Sequence, residues 1–179
     1  MKKLLMILPL VLILCFMVGC QDKEAMAELE AMKAQAEVEE QNKALVRSVF
    51  DELNKQNDAV YEQFYAPEYG WYFPANNPKA LTRDEEAGFV KLLWATFPDI
   101  RWDIAEMIAS GDSVMARFMV RGTHEGEYQG LPPTGNMFET GGVWIARIKD
   151  GKLVEVREEA DVLGWMQQLG MELKPMEGE

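Results

Sequence analysis

The turn at Asp150-Gly151 is the feature of this chain that most restricts its fold. It joins two runs of alternating apolar and polar residues, 142–149 and 152–161. Asp-Gly between such runs indicates a two-residue β-hairpin, because both central turn positions need a positive φ. A third run of the same kind, 112–124, precedes them. The sequence therefore predicts at least three neighbouring antiparallel strands, closed by a helix that follows Asp161.

Helical patterns come before these strands. Residues 43–55 place their apolar side chains on a single helical face, and Thr82 with Glu85 forms a capping box that opens another helix. Helices first and antiparallel strands afterwards is the α+β pattern. A sheet of four or more strands twists, and three helices cover only one face. We therefore expect a cone-shaped, curved antiparallel sheet wrapped around N-terminal helices, with a pocket at its open end.

The first twenty residues are typical of a bacterial lipoprotein signal. Lys2 and Lys3 precede an uncharged apolar run at 4–18, which is shorter than the about 20 residues that span a bilayer. Cys20 follows at the distance expected of a lipidated cysteine. We interpret residues 1–19 as the signal peptide and Cys20 as the lipidation site. The alternative is an ordinary signal peptide with a cysteine there by chance.

Cleavage before Cys20 would determine both the thiol content and the location of the mature chain. Cys15 would be removed with the signal and Cys20 would carry lipid, so no thiol would remain for a disulfide or a cysteine metal site. More than one acyl chain anchors a protein stably. Gln21 is not the aspartate that retains many lipoproteins at the inner membrane. We therefore expect a lipid anchor in the bacterial cell envelope, on the periplasmic face of the outer membrane.

The charge of the chain argues against one class of partner. The formal net charge is −12, and removing Lys2 and Lys3 leaves 16 basic against 30 acidic residues, a net charge of −14. A nucleic-acid-binding domain needs a basic surface, so no nucleic acid partner is expected. In this interpretation the lipid holds the protein at the membrane and the acidic surface keeps the domain in solution.

Two further segments flank the predicted domain at 43–172. Residues 20–42 are rich in Ala, Glu, Lys, Met and Gln, which favour a helix, and we interpret them as a lipidated helical spacer. Leu29, Met32 and Ala36 give a faint heptad seam, so self-association is the alternative. Residues 173–179 are expected to form a flexible tail.

Five segments of the chain resemble the SnoaL-like polyketide (ester) cyclase family of the nuclear-transport-factor-two-like superfamily. They occur in the family's order and at its spacings, within about 43–172. The segments are 95–99 (ATFPD), 121–127 (RGTHEGE), 130–135 (GLPPTG), 150–155 (DGKLVE) and 161–170 (DVLGWMQQLG). Each segment alone is weakly specific, and the five in order carry the resemblance.

The resemblance implies a fold, a chemistry and a site. Cyclases of this family close a ring by aldol condensation in a largely apolar pocket, and an acidic residue near the end of the last strand acts as general acid/base. The motif places that role on Asp161, and His124 matches a position near the pocket. The implied ligand is a small apolar, polyketide-like molecule, and no cofactor is expected. The outer face of the sheet is a dimer surface in this fold, so a homodimer is the implied assembly.

The residues themselves leave two interpretations of Asp161. As a catalyst it must remove a proton next to a carbonyl, which requires a raised pKa. If no bulge intervenes, Leu153, Glu155, Arg157, Glu159 and Asp161 share one face of the strand, and Arg157 would then lower that pKa. The alternative is capping, because Asp161 directly precedes a helical segment. The acidic pair Glu158-Glu159 is expected to be solvated.

The other candidates are more generic. His124 is the only histidine, and a histidine at a strand end is either an ordinary hydrogen-bonded residue or part of a site. With no retained cysteine, no metal site is predicted. Tyr72 and Trp102 are expected near the pocket mouth, because an amphipathic ring suits that position; with Arg157 they form the predicted ligand-binding set.

Two functional hypotheses follow. In the first, the domain binds a small apolar molecule and cyclises or isomerises it by proton transfer. In the second, it is a non-catalytic ligand-binding or assembly lipoprotein. The second hypothesis is motivated by one departure from the family: Val156-Arg157 stands where relatives commonly have His-Trp. A further departure is Tyr72, which stands where many relatives have histidine.

Overall fold

A computed structural model describes the backbone of residues 2–172 and the side chains of residues 23–172. Within this part of the chain lie four helices and six strands. They are α1 (Lys2–Asn54), α2 (Val60–Phe64), β1 (Tyr65–Tyr72), β2 (Leu81–Thr82), α3 (Arg83–Thr96), β3 (Arg101–Ser110), β4 (Ser113–Thr123), β5 (Met137–Lys149), β6 (Lys152–Ala160) and α4 (Val162–Gln168). The chain divides into two units, residues 1–38 and 39–179.

The first unit is the N-terminal part of α1. Residues 23–38 are exposed, including Met26, Leu29 and Met32. No helix in the described part of the chain is long and apolar enough to cross a membrane. The backbone of the predicted signal peptide from Lys2 onward belongs to α1, whereas its side chains, the side chain of Cys20 and the tail at 173–179 lie outside the part of the chain that the structure describes.

The second unit is built on one six-stranded sheet. The strand order is β2-β1-β6-β5-β4-β3, and neighbouring strands are antiparallel except for β1 and β6, which are parallel. The predicted fold class is confirmed, since the unit is an α+β fold with an open, curved sheet and N-terminal helices. The prediction of a wholly antiparallel sheet is wrong at β1. That strand is connected to β6 by a long crossover that contains α3 and the four strands β2 to β5, and a crossover of this kind makes a pair parallel.

The hairpin at Asp150-Gly151 is present as predicted. Asp150 and Gly151 have φ values of 51° and 70°, and the turn joins β5 to β6. Strand β5 begins at Met137, several residues before the predicted start at 142. The sequence pattern does not indicate this extension, because Gly141 and Gly142 interrupt it and glycine is disfavoured inside strands. A Cβ on Gly142 would lie 2.5 Å from the ring of Phe118 on β4, so glycine is required where these strands approach.

Strand β6 contains a bulge that reverses its alternation. Leu153 and Glu155 pair with consecutive residues of β5, so Val154 is an extra residue in the ladder. Leu153 and Val156 are both fully buried although they are three positions apart. The common face predicted for an unbulged strand from Leu153 to Asp161 is therefore interrupted at Leu153, which lies on the opposite face from Glu155 and Arg157. The residue that follows Val156 on the inner face is Glu158.

The core lies between the inner face of the sheet and the helices. The helical face predicted at 43–55 is buried at Val46, Val49, Phe50 and Leu53. The capping box is confirmed: the hydroxyl of Thr82 accepts from the amide of Glu85 at 3.3 Å, and the Glu85 carboxylate accepts from the Thr82 amide at 2.7 Å.

Candidate active site

Two adjoining cavities lie inside the curved sheet. The outer cavity has a volume of about 70 Å³ and the inner cavity about 50 Å³. Aromatic and aliphatic side chains form most of both walls. The cavities share Trp71, Phe89, Leu93, Trp102 and Glu158. Asp161 lines the outer cavity, and Glu86 lines the inner one.

Glu158 lies where the two cavities meet. It is partly buried, and its Oε2 accepts hydrogen bonds from the indole Nε1 of Trp71 at 3.0 Å and of Trp144 at 2.9 Å. Burial raises the pKa of this carboxyl to about 7, and the negative charge of Glu159 adds to the shift. The two indole donors act in the opposite direction, because they stabilise the charged form.

A carboxyl group with a pKa near neutrality suits proton transfer. At pH 7 both its protonated and its charged form are populated, so it can accept a proton and return it. The apolar walls keep water away from the reacting groups and strengthen electrostatic interactions there. The expectation that Glu158 is solvated is wrong, because the bulge in β6 turns this residue toward the core.

Asp161 caps α4 and also lies at the rim of the outer cavity. Its Oδ1 accepts a hydrogen bond from the amide of Gly164 at 2.8 Å. A Cβ on Gly164 would lie 2.2 Å from Asp161 Oδ2, so glycine is required for this cap. The Asp161 side chain is exposed. Capping is therefore established, and the carboxyl keeps access to the cavity mouth.

His124 lies apart from both cavities. It is fully buried against Phe97, with ring centroids 5.5 Å apart. Its Nδ1 lies 3.0 Å from the Thr134 hydroxyl and accepts from the Thr134 amide at 3.3 Å, so a neutral ring carries its proton on Nε2. Nε2 has no hydrogen-bond partner among the described residues. The structure does not bring His124 and Asp161 together in one cavity.

The other three predicted site residues, Trp102, Tyr72 and Arg157, lie on two different faces of the sheet. Trp102 lines both cavities. Tyr72 and Arg157 pair across β1 and β6, on the opposite face from Trp71 and Val156. The Arg157 guanidinium lies 4.0 Å from the Tyr72 ring centroid and donates to a Glu155 oxygen at 3.0 Å. These two residues line neither cavity, and ligand binding by them stays a prediction.

Glu86 is a second buried carboxyl that sequence reasoning missed. It is 2% exposed, and the hydroxyl of Tyr65 donates to its Oε1 at 3.4 Å. Burial raises the pKa of Glu86 to about 8; the Tyr69 hydroxyl, which lies nearby, opposes the shift, and the negative charge of Glu158 adds to it. Helical spacing gave a signal for this position, since Glu86, Val90 and Leu93 fall on one face. For Glu158 no such signal exists, because a bulge is not visible in the alternation.

The segments that carry the family resemblance also have structural roles. Asp99 accepts hydrogen bonds from the amide and hydroxyl of Thr123, both at 2.7 Å. The amide of Gly126 donates to the carbonyl of Thr96 at 2.8 Å, and a Cβ on Gly126 would lie 2.5 Å from a backbone oxygen. These contacts attach the turn after α3 to the end of β4, and the end of α3 to the loop that follows β4. Residues 23–172 contain no group of three or more His, Cys, Asp or Glu side chains placed to hold a metal.

Comparisons with known proteins converge on one family. A family profile described as SnoaL-like polyketide cyclase matches residues 44–169. The aklanonic acid methyl ester cyclase of Streptomyces peucetius is 29% identical over 134 residues, which cover 70% of this chain and 88% of that protein. A cyclase of the same name from Streptomyces sp. strain C5 is 30% identical and covers 70% of this chain and 80% of its own length.

Solved structures show the same fold with more than one assigned chemistry. IdmH of Streptomyces antibioticus, a proposed polyketide cyclase, has a TM-score of 0.64 and 26% identity, covering 73% of this chain and 99% of its own. AclR of Streptomyces galilaeus, a proposed hydroxylase, has a TM-score of 0.69 and 23% identity, covering 77% and 91%. The fold alone therefore does not indicate which reaction a member catalyses, and the reaction has to be inferred from the residues that line the cavities.

Proposed function

This chain belongs to the SnoaL-like polyketide cyclase family, and we propose that its domain binds a compact, largely apolar carbonyl compound and catalyses proton transfer at the carbon next to the carbonyl. The observation that carries the proposal is the carboxyl of Glu158, which lies between two apolar cavities with a pKa of about 7. The curated relatives are named as ester cyclases, and aldol ring closure begins with this proton transfer.

Glu158 is the general base in this proposal. Its charged carboxylate takes a proton from the carbon next to the ligand's carbonyl, and the electron pair of that C–H bond moves to give an enolate. The enolate carbon then bonds to a second carbonyl carbon of the same molecule, which closes a ring, and the proton goes to the oxygen of that second carbonyl. Where the enolate is conjugated to a C=C bond, the proton can instead return to the more distant carbon of that bond, which isomerises the ligand. In either case Glu158 returns the proton and no oxidant is needed.

The cavity limits the size of the ligand. Pockets for drug-sized molecules have volumes of about 300–1,000 Å³, whereas the two cavities here measure about 70 and 50 Å³. A ligand larger than a single ring therefore requires the lining aromatic side chains to move. Trp102 and Phe89 line both cavities, so their movement would join the two spaces.

Deuterium exchange tests the proposal with a minimal ligand. Cyclohexanone in D₂O at pD 7 exchanges the protons next to its carbonyl, and ¹H NMR measures the rate. We expect the wild-type domain to accelerate this exchange, Glu158→Gln to abolish the acceleration, and Asp161→Asn to retain most of it. If Asp161→Asn abolishes the acceleration and Glu158→Gln does not, the base is Asp161, as the family resemblance implies, and our assignment of Glu158 is contradicted.

The alternative is a non-catalytic ligand-binding domain. It is favoured by the position of Asp161, whose carboxyl is exposed and already engaged as the cap of α4. In that case cyclohexanone binds, and exchange with the wild-type domain is no faster than in buffer. Native mass spectrometry of the protein from its own membrane would then identify any ligand that it retains.

We also propose that the protein is held in the cell envelope by lipid attached to Cys20. The basic start, the apolar run and Cys20 support a lipid anchor in the cell envelope, with the outer membrane as the expected site. Labelling cells with an alkyne fatty acid tests this interpretation. We expect label on the wild-type chain and none on Cys20→Ser; equal labelling of both would contradict it.

A further inference from the structure

The inner cavity is bounded by a buried carboxyl that the proposed proton transfer does not use. Glu86, on α3, lines this cavity together with Glu158. Its Oε2 is buried and makes no hydrogen bond among the described residues, and the same holds for the hydroxyls of Tyr61 and Tyr69. The Tyr69 hydroxyl lies close enough to stabilise the charged carboxylate, but not in hydrogen-bond geometry. A buried carboxyl oxygen without a partner costs free energy. The inner cavity is therefore apolar on most of its wall and has one unused polar group on the wall formed by α3.

The geometry points to Glu86 as the hydrogen-bond donor that holds the ligand's carbonyl oxygen in the inner cavity, while the apolar body of the ligand occupies the outer cavity. This inference rests on the proposed function and specifies its substrate class. The ligand is a ketone or ester with the carbonyl at one end and an apolar ring or chain at the other. Glu158, at the junction of the cavities, then lies beside the carbon next to that carbonyl.

The protonation state of Glu86 supports this role. Burial raises its pKa to about 8, so the group is mostly neutral at pH 7 and carries an O–H donor. A neutral carboxyl in an apolar site can donate to a carbonyl oxygen, and the hydrogen bond strengthens as that oxygen gains negative charge. When the enolate forms, its negative charge would therefore lie on a ligand oxygen that already accepts a hydrogen bond from Glu86.

Four titratable groups surround Glu86. Tyr65 and Tyr69 approach from β1, Tyr61 from α2 and Glu158 from β6. Burial raises the pKa of each tyrosine, so all three hydroxyls stay neutral below pH 10. Glu158 is the neighbour that changes charge near neutrality, and the experiment must separate its effect from that of Glu86.

Two probes of matched shape test the inference. Cyclohexanone carries a carbonyl oxygen, and methylenecyclohexane has a CH₂ group in its place. Their dissociation constants are measured by quenching of tryptophan fluorescence, since Trp71 and Trp102 line both cavities. At pH 6.5 we expect the wild-type domain to bind the ketone about tenfold more tightly, the value of one hydrogen bond. This preference should decrease as the pH rises through about 8.

Substitutions at position 86 identify the donor. Glu86→Leu should remove the preference. Glu86→Gln, whose amide also donates, should keep it and make it independent of pH. The control is Glu68→Gln, an exposed carboxyl on β1, which should behave as the wild type does.

The outcomes separate this inference from the proposed function. Equal binding of both probes by the wild-type domain would overturn the role of Glu86 and leave the proposed function intact. A pH dependence that persists in Glu86→Gln would assign the effect to Glu158 and also overturn it. Failure of the wild-type domain to bind either probe would contradict the proposed function itself.

Discussion

The indole nitrogen of Trp71, on β1, lies 3.0 Å from Oε2 of Glu158, on β6, so a hydrogen bond connects the parallel strand pair beside the cavities. The indole of Trp144 donates to the same oxygen from β5. Two neutral donors hold the carboxyl in place without neutralising its charge. This arrangement leaves the pKa near neutrality, whereas an arginine in the same position would lower it.

Removing one indole donor should raise the pKa of Glu158. Trp144→Phe keeps an aromatic ring at this position and removes the hydrogen bond of 2.9 Å from the Trp144 indole to the Glu158 carboxylate. Because that bond stabilises the charged carboxylate, we expect the Glu158 pKa to rise above its value of about 7. A ¹³C NMR titration of labelled glutamate measures the change. The matched control is Trp94→Phe, since the Trp94 indole has no partner among the described residues; an unchanged Glu158 pKa in Trp144→Phe would contradict the account.

The domain should lose stability as the pH rises. Glu86 has a pKa of about 8 in the folded state and an ordinary value of 4.5. Between these values the unfolded chain is deprotonated there and the folded protein is not, so raising the pH favours unfolding. This group alone lowers the free energy of unfolding by roughly 1.4 kcal/mol per pH unit. The stability that depends on protonated Glu86 is fully present below pH 4.5 and is lost by about pH 8.

Urea unfolding from pH 5 to pH 8 measures this slope. Glu86→Gln should reduce this slope by about 1.4 kcal/mol per pH unit, because the amide does not titrate. Below pH 7 the remaining slope comes from Glu158, whose pKa is also raised from 4.5, to about 7. Glu68→Gln, at an exposed position, should leave the slope as in the wild type. A slope that is the same in Glu86→Gln and in the wild type would show that Glu86 is not the responsible group.

Substitutions of Asp161 should separate its charge from its capping role. Asparagine also caps a helix, so Asp161→Asn should change the free energy of unfolding by less than about 0.5 kcal/mol. Asp161→Ala removes the acceptor for the Gly164 amide and should cost about 1 kcal/mol. Thermal unfolding of both variants is the measurement. Equal losses for the two would mean that the charge, and not the cap, stabilises α4.

Two glycine-to-alanine changes should have opposite signs. In Gly142→Ala the new Cβ would lie 2.5 Å from Phe118 and 2.8 Å from a backbone oxygen of Glu159, so we expect a loss of about 1–3 kcal/mol. Gly88, in the middle of α3, has open space around the position that an added methyl group would take, with nothing within 4 Å. There alanine should stabilise the fold by roughly 0.5–1 kcal/mol. Chemical denaturation compares the two, and a gain at 142 would contradict the packing of β4 against β5.

Local chemistry made much of the fold predictable. The Asp150-Gly151 turn needs positive φ at both positions, and the capping box at Thr82 satisfies its own backbone groups, so both are determined by neighbouring residues. The alternation that runs through β4 likewise agrees with the burial of Phe118 and His124. In each case the deciding interactions lie within a few residues, or the strand is regular.

The site was less predictable because it depends on contacts between distant segments. One extra residue, Val154, exchanges the two faces of β6, and only the pairing with β5 reveals it. His124 is buried on the same face as Phe118, yet the loop that follows folds back and the Thr134 amide donates to its Nδ1, so the ring does not reach a cavity. Asp161 was identified from the sequence as both a cap and a candidate base, and the structure shows the cap.

The pKa of Glu158 in the wild-type domain tests the central claim most directly. A ¹³C NMR titration of the carboxyl resonance, assigned by its loss in Glu158→Gln, follows this group alone. We expect a midpoint at about pH 7. A midpoint near 4.5, the ordinary value for a glutamate, would mean that the carboxyl is solvated, and it would contradict the role of Glu158 as the base.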